Sequence, residues 1–192
     1  MSTVVSLRPH AKEDFTSYLG MVITLGSWGI MFGGLFFAYV GVRLSSPTWP
    51  PPGEPKLPVA LPLLNTGVLL LSSVAAYKAL ASIRRARRDE MKAFLAITIF
   101  LGALFLGLQY VLWSTVHSSG LHLDSGTYGS VFYALTMFHA LHVFAGMLAL
   151  LYVLVLAARY SEHRHATVRL CTMFWHFVDA VWVVTFLSVF VL

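Results

Sequence analysis

Long uncharged windows, separated by short charged clusters, set the pattern of this chain. Residues 15–42, 57–77, 93–123 and 125–158 contain no Asp, Glu, Lys or Arg, and residues 170–192 contain only Asp179. Each window reaches the roughly 18–20 residues that a helix rising about 1.5 Å per residue needs to cross about 30 Å of hydrocarbon. Lipid offers a backbone of this length no partner but itself, so each window is read as a membrane-spanning helix. The pattern predicts an all-α integral membrane protein with five transmembrane helices, over about 17–42, 58–80, 91–113, 128–158 and 168–191. A tail at 1–16 precedes this single five-helix domain at 17–192. The first 14 residues, "MSTVVSLRPHAKED", lack the apolar core of a signal peptide, so the first span is expected to stay as an anchor.

Composition agrees with this reading. The chain is 58% hydrophobic and 11% charged, with a mean hydropathy of +0.76, whereas soluble domains are about 25% charged. The 13 basic residues are distributed unevenly. Arg8 and Lys12, then Lys78, Arg84, Arg85, Arg87, Arg88 and Lys92, then Arg159, Arg164 and Arg169 share one side of a five-span topology, and only Arg43 and Lys56 lie on the other. The positive-inside rule therefore predicts a cytoplasmic N-terminus and a C-terminus on the periplasmic or outer side. The net charge of +5 reflects topology, and the "RRARRDE" cluster is a solvated cytoplasmic loop rather than a nucleic-acid site.

Polar residues inside apolar spans are costly and therefore informative. "MFHALHVFAG" puts His139 and His142 at i, i+3 in the fourth span, and "FWHFVDAVW" puts His176 and Asp179 at i, i+3 in the fifth. Counted inward at about 1.5 Å per residue, His139 falls level with Asp179 and His142 level with His176. The expectation is a structural polar network between helices 4 and 5, built from these four residues and fixing their register. Two other uses of the four residues compete with it: a metal or haem site in an independent membrane protein, and a proton relay. Gly29 and Gly33, spaced as GxxxG in the first span, are candidate helix-packing positions. The proline-rich loop "SSPTWPPPGEPKLP" should be semi-rigid, and Trp49, Trp113, Tyr128 and Tyr160 fall near the interfaces. His117 and His122 in an outer loop, and His163 and His165 in an inner one, are read as solvated. The single Cys171 cannot form an internal disulfide.

The motifs "GGLFFAYV", "WPPPGEPKLP", "LPLLNTGVLLLSS", "YGSVFYALTMFHALHVFAG" and "FWHFVDAVW" together resemble subunit III of the haem–copper respiratory oxidases, in its bacterial five-helix form. The last two are the most specific: the family reads F-H-G-L-H-V and W-H-F-V-D-x-V-W there, and only Ala140 departs from the first pattern. The resemblance runs from about Leu25 to Leu192. It implies a non-catalytic subunit without cofactors of its own, packed on the catalytic subunit I beside subunit II, with haem and copper in those partners. It also implies bound phospholipid, residence in the bacterial inner membrane and association with other respiratory complexes. Seven-helix relatives carry two further helices, and this chain matches the last five. The proline-rich loop and "LPLLNT" favour the cytochrome c oxidase type over a quinol oxidase or a nitric oxide reductase-associated relative. Where the family often carries glutamates, this chain has Trp28, Leu112 and Arg169, so no proton-antenna role is carried over.

Overall fold

The computed structural model describes residues 9–53, 55–161 and 165–191. Five helices account for nearly all of them: α1 (Pro9–Ser45), α2 (Ala60–Arg84), α3 (Arg88–Ser118), α4 (Thr127–Val155) and α5 (Ala166–Phe186). A 3₁₀ turn, Ala157–Arg159, follows α4, and α5 ends in a π-helical turn, Leu187–Val191. Each helix is long and apolar enough to cross a membrane.

The ends differ from the expected spans in ways that follow from local chemistry. Helix α1 begins at Pro9, a residue pre-set for the first helical position, so part of the expected tail is helical. Helix α3 continues past Trp113 to Ser118, because nothing before Gly120, with its positive φ of 100°, forces the chain to turn. The loop to α4 is correspondingly short. Arg164 and His163 lie outside the described residues, as do residues 1–8.

The buried residues of α3 recur in alternating steps of four and three: Met91, Leu95, Thr98, Gly102, Phe105, Gln109, Leu112 and Val116. On α2, Asn65, Leu69, Ser72, Ala76, Ala79 and Ile83 do the same. Two seams of this period face one another in an antiparallel pair, the coiled-coil form of helix contact. Small residues along α2 let the backbones approach, as membrane helices require when water supplies no hydrophobic drive between them. The short α2–α3 connection turns through Ala86 at φ 59°. At the same end, Arg88 donates to the Tyr160 carbonyl at 2.9 Å, which ties the α2–α3 and α4–α5 connections together.

Helix α5 is the centre of the bundle and is touched by α1, α2 and α4. Trp175 and Trp182 are wholly buried on it. Room for Trp175 comes from two glycines: a Cβ at Gly102 would stand 2.7 Å from its Cη2, and one at Gly146 3.1 Å from its Cε3. Helix α1 is the outlier. Only 6% of its apolar window is buried within the bundle, against 56% for α5.

Of the expected interfacial aromatics, Trp49 and Tyr128 pack on one another. Trp49 stands edge-on between Tyr39 (5.6 Å) and Tyr128 (5.0 Å), with the Arg43 guanidinium 5.4 Å over its ring. This folds the proline-rich loop back over α4. Trp113 points into the bundle and donates to Thr136 Oγ1 at 3.0 Å.

Candidate functional site: the polar side chains inside the bundle

Of the four polar residues of α4 and α5, His139, His142 and Asp179 are buried and His176 is partly buried. His139 is fully buried between Trp182 (ring centroids 5.1 Å apart) and Phe105 (5.6 Å). Neither of its ring nitrogens has a hydrogen-bond partner among the described residues. His142, three residues on, turns toward α1: it meets Trp28 at 5.0 Å and Phe32 at 5.1 Å, and its Nδ1 lies 2.6 Å from the Phe138 carbonyl oxygen. His176 uses Nδ1 to reach Ser73 Oγ on α2 at 2.6 Å. Asp179 is 4% exposed, with no hydrogen-bond partner at either carboxylate oxygen among the described residues.

No hydrogen bond joins any two of these four among the described residues, and the hydrogen bonds that His142 and His176 make go to other groups. Three residues turn a helix through about 300°, which leaves His139 and His142 about 60° apart. That offset suffices to send one ring toward α3 and α5 and the other toward α1. On α5, depth says nothing of rotation: the face bearing His176 meets α2 rather than α4.

The polar pairing that does form was not foreseen. It runs mainly between α2 and α5, where Trp175 Nε1 donates to Ser72 Oγ at 3.0 Å and Trp182 Nε1 donates to Thr66 Oγ1 at 2.9 Å. With Ser73 and His176, these make three ties along one antiparallel seam. Asn65 Nδ2 donates to Gln109 Oε1 at 3.3 Å between α2 and α3. The signal was present in the sequence as two tryptophans seven residues apart on α5, opposite Thr66 and Ser72 on α2. A buried indole N–H seeks an acceptor, and a hydroxyl can accept while donating to its own helix, as Thr66 does to the Pro62 carbonyl at 2.8 Å.

The GxxxG pair divides as well. A Cβ on Gly29 would be 3.9 Å from Phe177, whereas one on Gly33 would have nothing within 4 Å among the described residues. Between α1 and the α4–α5 face lies an apolar groove of about 330 Å³, lined by Met21, Trp28, Ala145, Ala149, Cys171 and Phe174 among others.

Among the described residues no three His, Cys, Asp or Glu side chains gather as metal ligands.

The comparisons with known proteins follow the length of the bundle. The family model for cytochrome c oxidase subunit III matches residues 11–192. "Cytochrome c oxidase subunit 3" of Thermostichus vulcanus is 34% identical over 186 residues, covering 95% of this chain and 90% of the relative. The protein of the same name from Synechocystis sp. is 36% identical, with 95% and 78% covered. The human one is 36% identical over 180 residues, with 89% and 67% covered. A match across all five helices, with the buried seams and the two histidine-bearing motifs inside it, makes this chain a member of the cytochrome c oxidase subunit III family.

Proposed function

We propose that the chain is the non-catalytic third subunit of an aerobic terminal oxidase of the cytochrome c type. It sits in a bacterial cytoplasmic membrane with its N-terminus on the cytoplasmic side. Haem and copper belong to the partner subunits I and II, and this chain supports oxygen reduction and proton pumping through packing and lipid binding. The observation that carries this reading is the exposure of α1. A span of which 6% is buried, turning Gly33 outward with nothing against it, is suited to lying between its own bundle and a further membrane component.

Two further features support it. The groove beneath α1 is apolar enough for an acyl chain. His176 is only partly buried and, among the described residues, bonds through Nδ1, so that Nε2 is available to a neighbour outside the bundle. Within this reading, His139, His142, His176 and Asp179 act structurally, setting the rotation of α4 and α5 rather than holding a ligand.

The test is purification of the tagged chain from membranes in mild detergent, with an optical spectrum, mass spectrometry of partners and lipid analysis. Haem a signals arriving with large oxidase subunits and phospholipid are expected. Haem o without haem a would reassign it to the quinol type, and a chain that purifies alone and stable would overturn the subunit reading.

A further inference from the structure

The loop between α3 and α4 holds two imidazoles together. His117 lies in the last turn of α3 and is exposed, and His122 lies in the loop, partly buried. Their ring centroids are 4.3 Å apart, with planes at 81°.

The main chain that carries His122 is fixed on both sides. Its N–H donates to Ser125 Oγ at 2.8 Å. Its carbonyl oxygen packs so closely on Gly129 that a Cβ there would collide with it. The residue before it, Leu121, is wholly buried, and its carbonyl accepts from the Tyr133 hydroxyl at 2.9 Å. Ser130 Oγ closes the far side onto the Leu123 carbonyl at 2.8 Å. The loop thus fixes the main chain that carries His122, while His117 is exposed on the last turn of α3.

From this we infer that His117 and His122 form a two-imidazole site for a divalent transition cation, of the copper or zinc class, at the α3–α4 end of the bundle. A metal–imidazole bond of about 2.0–2.1 Å puts the ring centroid about 3 Å from the metal. Two such ligands meeting at about 90–110° hold their centroids roughly 4.5–5 Å apart. The observed separation is within a few tenths of an ångström of that range, and the exposed His117 ring is the one free to turn a nitrogen toward the cation. Neutral imidazole is a preferred ligand for zinc, copper and nickel, with copper(II) the most strongly held. Water fills the remaining positions, since among the described residues no third His, Cys, Asp or Glu gathers with this pair. The site does not rest on the oxidase reading.

The experiment is a titration of the full chain, in detergent or in its complex, with Cu²⁺ followed by electron paramagnetic resonance, then competition with Zn²⁺. One equivalent of Cu²⁺ is expected with splitting from two nitrogens. His117→Ala and His122→Ala should each weaken binding about tenfold or more, while His163→Ala/His165→Ala leaves it unchanged. Far-UV circular dichroism verifies that each variant is folded. Binding that survives either single variant, or that disappears with the His163/His165 variant, overturns the site. So does an absence of stoichiometric binding in the parent chain.

Discussion

Gly102 and Trp175 provide the sharpest test of how the bundle is packed. Replacing Gly102 by alanine adds one Cβ, placed 2.7 Å from Trp175 Cη2 and 3.1 Å from Met147 Cγ and Sδ. Met147 is flexible and can yield. Trp175 cannot yield cheaply, because it is wholly buried, bonded to Ser72 and backed by Gly146. Carbon atoms rest at about 3.5–4.0 Å, so the ring must move by about 0.8 Å. Overpacking of this kind costs about 1–3 kcal/mol, and the indole–hydroxyl bond that shifts with it adds about 0.6 kcal/mol. Against this stands a gain of about 1 kcal/mol from replacing glycine inside a helix. Gly102→Ala should therefore destabilise by about 0.6–2.6 kcal/mol.

The decisive comparison is the same substitution in a Trp175→Phe background. Phenylalanine lacks the outer indole ring that carries Cη2, so the alanine fits and only its helix preference remains. The effect of Gly102→Ala should then change sign. Unfolding in mixed detergent and SDS micelles, followed by far-UV circular dichroism, measures all four proteins. A coupling below about 0.5 kcal/mol, the level at which independent sites add, would refute the packing argument.

Three further outcomes follow from the same contacts. Thr66→Val removes the acceptor of Trp182 and should cost about 0.6 kcal/mol, and no more than about 1.7, in the same unfolding assay; a larger loss would mean that Thr66 does more than accept this bond. Trp28→Ala should loosen α1 from His142 and Phe174 by about 2 kcal/mol, seen as roughly thirtyfold faster labelling of Cys171 by a membrane-permeant thiol reagent; an unchanged rate would mean that α1 does not cover the groove. Arg87→Ala breaks an exposed pair with Glu90 (3.1 Å), and should shift stability by less than about 1 kcal/mol in the micelle assay.

Much of the fold was legible because membrane helices are coded locally. The five charge-poor windows correspond to the five helices, and the proline-rich stretch is the loop between α1 and α2. What the spans leave open shares a cause. Position near span ends places Trp113 and Tyr128 close to the interfaces, but not their partners: one bonds to Thr136 and the other meets the folded-back loop through Trp49. His117 is exposed, as a solvated position should be, but only the longer α3 shows that it lies on a helix with its ring centroid 4.3 Å from that of His122.

His139, His142, His176 and Asp179 mark where the sequence stops and the tertiary structure takes over. Their presence in the spans follows from the chain alone, because rise per residue and the length of an apolar run are local quantities. Which helix each one faces does not follow. A rotation of about 60° separates the two α4 histidines, and the helix standing at that angle is set by how five spans pack around α5. That packing depends on Gly102 and Gly146 admitting Trp175, and on Thr66, Ser72 and Ser73 receiving the polar edges of Trp182, Trp175 and His176. Depth is a sum along one helix. Direction is an agreement between helices far apart in sequence, and only the folded bundle contains it.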